Sequence, residues 1–529
     1  MRKTSFLRGA MILTVAGVVV KMLGGVNRIL LSRILGGEGI GLYQMAYPLY
    51  ILLLSIAGAG IPIAVSILVA EKASQSAYGE GRRILKIALL ALGGCGVLLA
   101  AAMIPAASIL VSAGIVSDGR VQLSLAVLAP ALAISIVTCC FRGYFQGLQL
   151  MTPTAVSQMC DQFIRVCVML SLAFLLFPSG LEKAAAGAAF GAVPGAAAGL
   201  AVMLFFYFRH LRAAEYAALS NGAAARESSL HIVRRLLTLA IPVAAANMLL
   251  PAVASIDLFI VPHRLTEAGY TISEATTHFG YLSGMANGLI QLPAILTIAL
   301  STSLVPAVSA AYTGGTRSDV LRRTHAAMAI ANLITVPSFF GLAVLATPIS
   351  RLLYGTAAAG PAICVLSLAA FLIGVQQVTS GLLQGIGKAC VPLYCILVAA
   401  VLKIGLSWYL TALPWLGEEG AAWATNADLA VAAALNLWFA GRYVAYRMDW
   451  LHLGKIFLSA AAMAGTAWIV SEISGPLLPD TAATLLAIGT AAVVYLVSLL
   501  AFRAVDSELV GKIPVVGAKL KNVSDHLRK

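Results

Sequence analysis

Long apolar runs separated by short polar breaks repeat along nearly the whole chain. A helix needs about 20 predominantly apolar residues to cross a bilayer. Fourteen stretches fit that pattern, at 8–32, 42–70, 84–112, 121–146, 153–177, 185–207, 232–262, 279–311, 325–350, 361–386, 391–413, 420–440, 454–473 and 481–503. No segment between them is long enough to hold a soluble domain. Several runs exceed the minimum and carry proline, as with Pro48 and Pro62 in the second and Pro242 and Pro251 in the seventh, so these helices should tilt or kink. The pattern predicts an all-α polytopic membrane protein. The start, MRKTSFLRGAMILTVAGVVV, has the basic head and apolar run of a signal peptide. No small-residue cleavage motif follows and the run continues past Lys21, which predicts an uncleaved first span.

Composition agrees. Hydrophobic residues make up 60% of the 529 and charged residues 11%, with a mean hydropathy of +0.94, whereas a soluble domain averages about 25% charged. The net charge of +14 would suit nucleic acid. Its placement does not, because the basic residues fall in alternate connecting segments and do not interleave with aromatics. With the N-terminus inside, the outer segments hold only Arg33, Arg120, Lys183, Arg264 and Arg351. That asymmetry predicts a multi-pass protein of the cytoplasmic membrane with both termini cytoplasmic, and a basic tail, 504–529, near the inner leaflet. The eight cysteines, Cys95, Cys139, Cys140, Cys160, Cys167, Cys364, Cys390 and Cys395, lie in spans or at their cytoplasmic ends. They suit helix packing better than a disulfide framework.

The chain repeats itself. RGYFQG from Arg142 and SGLLQG from Ser380 both carry G-x-x-Q-G, as Gly143, Gln146, Gly147 and Gly381, Gln384, Gly385. Each then turns at a proline, Pro153 or Pro392, into a span with a cation at the same distance from the first glycine, Arg165 or Lys403. A second echo pairs GIPIAVS at Pro62 with SLVPAVS at Pro306. Both matches shift by six spans. An even shift predicts two like-oriented halves, 1–207 and 232–440, joined by a cytoplasmic linker, 208–231, with a ligand site between halves.

Four cations stand inside apolar runs: Lys21, Arg28, Arg165 and Lys403. Each costs several kcal/mol in lipid unless it faces protein, water or an anion. Lys21 and Arg28 are seven residues apart on one helical face. They line a cavity or snorkel outward, and Lys21, about 20 Å along the helix, is deep for snorkelling. Asp161 and Arg165 are spaced for a local ion pair, which would be structural. The cation recurs at Lys403 where the acid does not, since Ala399 stands there, and this favours a shared ligand role. Asp257 and Asp428 either carry a coupling proton or sodium ion or neutralise a neighbouring cation, with neutralisation favoured. Gly187, Gly191, Gly195 and Gly199 read G-x-x-x-G for close helix packing. GLLQGIGKAC is no phosphate loop, because Ala389 replaces the required hydroxyl, and GGEGIG after Arg33 reads as a sharp outer turn. No metal, nucleophile or cofactor motif is present.

GGVNRILLSRILGGEGIGLYQMAYP, FRGYFQG and PTAVSQMCDQFIRV resemble the stage V sporulation protein B family, polysaccharide-biosynthesis-type transporters of the MATE-like flippase superfamily. The resemblance implies two six-helix bundles in a V around a central cavity, plus two further helices at 441–503. It implies an undecaprenyl-linked glycan precursor as cargo and peptidoglycan of wall or spore cortex as the setting. Related lipid II flippases place cations along their first helix. Lys21 and Arg33 match two of those positions, and Asn27 with Arg28 beside it stands at an intermediate one. The leading expectation is a non-enzymatic flippase in which Lys21, Arg28, Arg165 and Lys403 hold a diphosphate. Membrane lipids surround it, with room for a coupling ion and for contact with wall-synthesis enzymes. An ion-coupled exporter of organic cations, relying on Asp257 and Asp428, and a non-transporting scaffold are the alternatives.

Overall fold

The computed structural model describes residues 3–58, 60–75, 77–215 and 227–504. The basic tail from 505 and linker residues 216–226 lie outside the described residues. Among those described there are helices and no strands. The chain divides into two compact units, one up to Gly284 and one from Met285. The first contains α1 (Lys3–Gly58), α2 (Ile61–Ser74), α3 (Tyr78–Ala88), α4 (Gly94–Ser112), α5 (Val121–Gly147), α6 (Met151–Leu176), α7 (Leu181–Phe190), α8 (Ala192–Glu215), α9 (Ser229–Glu267) and α10 (Ile272–Phe279). The second contains α11 (Asn287–Thr313), α12 (Arg317–Val344), α13 (Ala346–Tyr354), α14 (Gly360–Leu366), α15 (Leu368–Gly385), α16 (Cys390–Leu410), α17 (Glu418–Val444), α18 (Trp450–Ser474) and α19 (Asp480–Ala501).

Twelve of the described helical stretches are long and apolar enough to cross a membrane. One of them, Val15–Ser74, has 60 residues, which is more length than a single crossing of about 20 needs. It merges the first two sequence spans. The other difference from fourteen is α17, which carries Asn426, Asp428 and Asn436 among its apolar residues. Large apolar side chains stand open on the surface, among them Leu90, Val401 and Val493. A surface of this kind suits hydrocarbon rather than water. The protein is an all-α polytopic membrane protein, and all eight cysteines are free thiols.

The breaks in the first helices follow their glycines and prolines. GGEGIG makes a kink within α1 at Gly36, with φ 68° and ψ −172°, a conformation open to a residue without Cβ. Inside the second sequence span, α1 ends at Gly58 and Pro62 enters the first turn of α2, where its missing N–H costs nothing. A Cβ on Gly60 would lie 2.1 Å from the Ala240 carbonyl oxygen, so this break brings α9 against the start of α2. Ion pairs reinforce that seat. Lys72 Nζ meets Glu227 Oε1 at 2.6 Å, and Arg235 reaches Glu71 at 2.6 Å and Glu227 at 3.3 Å. The hydrogen bond from Lys72 holds the Glu227 carboxyl below its ordinary range. Because α9 packs on α1 and α2, the first unit extends past the 208–231 segment to Gly284.

The repeated motifs are packing devices. A Cβ on Gly143 would meet the Pro62 carbonyl oxygen at 2.7 Å and Val65 Cβ at 2.8 Å, which seats α5 on α2. In the second unit Gly385 makes the matching approach to α11, with Val308 Cβ at 2.8 Å and Val305 O at 3.0 Å. The two sequence echoes therefore pack on each other in both units, slid by one helical turn. The G-x-x-x-G row works the same way. Cβ atoms on Gly191 and Gly195 would fall 2.9 Å from Met169 Cα and 2.7 Å from Arg165 Cβ, so α8 lies directly on α6.

A polar clamp ties the Gly36 kink to α10. Arg120 Nη1 meets Glu38 Oε1 at 2.8 Å and Arg120 Nη2 meets Asp118 Oδ2 at 2.7 Å. From α10, Thr276 donates to Asp118 at 2.8 Å and Ser273 donates to Glu38. Beneath them a Cβ on Gly280 would touch the Gly37 carbonyl oxygen. Asp118 is only 2% exposed. Burial raises its pKa, but hydrogen bonds from the side chain and backbone of Arg120 and from Thr276 outweigh this and hold it below the ordinary carboxylate value.

Two outcomes follow for stability. Gly195→Ala should lower thermal stability in detergent by on the order of 1–3 kcal/mol, since the Asp161 carbonyl oxygen stands 2.9 Å from the new methyl. Gly405→Ala, with open space around it, should change it by less than about 0.5 kcal/mol. The depressed Asp118 carboxyl contributes stability that is present above the unfolded carboxylate pKa of about 3.9 and lost as pH falls through the lower folded value. The deficit of Asp118→Asn in thermal midpoint should therefore be constant above about pH 5 and shrink below about pH 4.

Candidate functional site

Three charges meet where α5 and α6 approach in the first unit. Arg165 lies on α6, 11% exposed, with Nη2 at 2.9 Å and Nε at 3.3 Å from Asp161 Oδ1. The i,i+4 spacing sets this pair up within one helix. The other carboxylate oxygen of Asp161 faces Arg142 Nη2 of α5 at 3.9 Å. One carboxylate thus sits between two guanidiniums, and positive charge exceeds negative. Arg142 also reaches Ser157 Oγ at 3.5 Å, while its Nε is buried without a hydrogen-bond partner. Ser157 in turn donates to the Gly199 carbonyl oxygen of α8 at 2.9 Å, so the glycine seam fixes the back of this cluster.

The opposite side is a tyrosine face of α1. Tyr43, Tyr47 and Tyr50 recur at helical spacing. The Tyr43 and Tyr47 rings stack with centroids 5.2 Å apart, and Tyr47 and Tyr50 follow at 5.8 Å. Arg165 Nη1 reaches the Tyr47 hydroxyl at 3.5 Å, and the Tyr50 hydroxyl bonds Ser135 of α5 at 3.2 Å. Arg28 is half-buried on the same helix, α1, which packs on α6. Further along α1, Gly24 lies against Gln162 of α6, and Asn27 donates to Met169 Sδ at 2.9 Å with its Oδ1 buried and unpartnered. Lys21 and Arg28 flank Gly24 on one helical face. Lys21 itself is exposed.

Of the expected residues, Arg165 and Asp161 come together in the first unit, and Arg28 and Lys21 stand on one face of α1, the helix that packs on α6. Asp257 is half-buried on α9. Lys403 is in the second unit, 4% exposed on α16. That helix packs on α17, which carries Asp428. Lys403, Asp257 and Asp428 all make polar or electrostatic contacts, so none is an isolated charge. Arg142 stands at the end of the predicted span 121–146 and was not among the expected site residues. The helix of α5 runs through it to Gly147 and turns it toward Asp161. Sequence reasoning also passed over the tyrosines, whose i, i+4, i+7 spacing was the available signal. Among the described residues no group of three metal-ligating side chains occurs. What the arrangement offers is guanidinium and phenol donors suited to an oxyanion.

Known proteins of the same pattern exist. Residues 6–312 match the family model described as polysaccharide biosynthesis protein. The chain is 29% identical over 525 residues to stage V sporulation protein B of Bacillus subtilis, covering 98% of this chain and 99% of that one. It is 28% identical to the lipid II flippase MurJ of the same organism, covering 76% and 77% respectively. Among solved structures, MurJ in an inward closed conformation superimposes with a TM-score of 0.69 at 16% identity, covering 93% of this chain and 99% of that one. An inward-facing multidrug resistance MATE transporter of the MOP superfamily gives 0.63 at 16% identity, covering 80% and 94%. At that identity these last two show a shared fold. The chain belongs to the polysaccharide biosynthesis protein family.

Proposed function

We propose that this protein is a MOP-type flippase that moves an undecaprenyl-pyrophosphate-linked glycan from the inner to the outer leaflet of the cytoplasmic membrane, for wall or spore-cortex synthesis. The observation that carries this reading is the Arg142–Asp161–Arg165 cluster, which holds more cation than anion within membrane helices. Arg165, Arg142, Arg28 and Lys21 of the first unit bind the diphosphate by charge-assisted hydrogen bonds, and Lys403 is a cargo-binding cation of the second unit. Asp161 holds the two guanidiniums in place until cargo arrives. The polyprenyl tail stays in lipid and no covalent bond changes. Alternating exposure of the cluster carries the head group across, driven by the membrane potential or an ion gradient, with Asp257 or Asp428 as the coupling acid. Likeness to stage V sporulation protein B and MurJ supports the cargo class.

The test is flipping of a fluorescently labelled undecaprenyl-pyrophosphate glycan in vesicles reconstituted with the purified protein. Arg165→Glu and Lys403→Glu should each reduce flipping to background while membrane insertion and purification yield stay normal. Arg142→Gln should lower the rate about tenfold, as loss of one charge-assisted contact of about 1.5 kcal/mol implies. Normal flipping in all three variants would remove the ligand role of the cluster. Asp257→Asn and Asp428→Asn should weaken any dependence on an imposed ion gradient. If they instead abolish export of organic cations while the arginine variants do not, the protein is a drug exporter.

A further inference from the structure

The second unit carries a compact array that cargo binding does not use. At the end of α17, Trp438, Phe439 and Tyr443 form a continuous aromatic strip. Trp438 and Phe439 meet edge to face with centroids 4.6 Å apart, and Phe439 and Tyr443 stack at 6.1 Å. A cation caps each end of it. Lys388 Nζ lies 5.4 Å from the Tyr443 centroid, and the Arg442 guanidinium lies 5.7 Å from that of Trp438. Both fall within the roughly 6 Å reach of a cation–π contact. Trp438 is 56% exposed and Tyr443 40%.

Its level in the membrane follows from the chain. Lys388 occupies the turn between two membrane-crossing helices, Gly360–Gly385 and Cys390–Leu410, and Arg442 lies just before the start of a third, Trp450–Ser474. The array therefore sits where helices leave the hydrocarbon, at head-group depth. Arg447 follows in the segment between α17 and α18, and Lys455 lies in the first turns of α18. No carboxylate pairs with Lys388, Arg442, Arg447 or Lys455 among the described residues, and the neighbouring Asp449 is engaged in capping α18 through His452 N at 2.9 Å. From Lys388, α16 descends with Tyr394, Val398 and Val401 exposed, an apolar track of a length suited to an acyl chain.

We infer that this strip is a binding site for an anionic phospholipid. Its phosphate is held by Lys388 at the Tyr443 end, the rest of the head group lies along the aromatic rings toward Arg442, and one acyl chain runs along α16. Aromatic rings at the interface hold the cations in a fixed place, so the site selects a negatively charged head group rather than lipid in general. The inference is independent of the cargo.

The experiment is native mass spectrometry of the full-length protein, titrated in detergent with phosphatidylglycerol or phosphatidylcholine. The Lys388→Gln/Arg442→Gln variant should retain phosphatidylglycerol about tenfold more weakly than wild type, with phosphatidylcholine unchanged. Lys183→Gln, an exposed cation of the first unit, should bind both lipids as wild type does. The exchange Lys388→Arg/Arg442→Lys should keep most of the binding, which separates a charge effect from misfolding. Retention of phosphatidylglycerol at the wild-type level in the double glutamine variant would overturn the site. So would an equal loss of both lipids in that variant.

Discussion

A guanidinium in a membrane-crossing helix is stable only when protein replaces the water it gave up. The penalty for an unpaired ion in such a place is several kcal/mol. Arg165 meets that requirement with Asp161 on its own helix and Tyr47 on α1. Much of the first unit is arranged around keeping those partners close. The row of four glycines lets α7 and α8 lie on α6 without a side chain between them. Ser157 is then held by the Gly199 carbonyl, and Arg142 of α5 reaches in from the other side. Widening that seam by one methyl moves the helix that presents both Asp161 and Arg165.

The same logic of close approach recurs at the ends of the unit. Glycines at 37, 41, 280 and 284 bring the α1 kink against α10, and the carboxylates of Glu38 and Asp118 clamp the contact through Arg120. Near Gly60 the α1–α2 break admits α9, held by alternating charges of Glu71, Lys72, Glu227 and Arg235. Small residues set the distance and ion pairs set the register.

Much of this was legible in the chain. Hydropathy placed the helices, because a helix facing lipid has to be apolar along its length. The merged first stretch and the polar α17 are places where a helix that continues through the Gly36 kink, and Asn426, Asp428 and Asn436, change the simple count. The two sequence echoes proved to be contact partners, which explains why they recur together. The Asp161–Arg165 pair was visible from its spacing. Arg142 was hidden because a cation at the end of a span reads as one of its flanking charges, and the tyrosine face was hidden because aromatics among many apolar residues stand out only once a partner helix is known. The division at Gly284 depends on how α9 packs, and helix packing is not written in local periodicity.

Asp161 standing between Arg142 and Arg165 has a consequence for turnover. On the proposed function, an arriving phosphate would enter a seat already occupied by a tethered anion and would have to displace it. The displaced carboxylate stays on its helix, ready to recapture the same donors. Such a resident competitor shortens the dwell time of whatever replaces it, so the arrangement favours a carrier that lets go over one that grips.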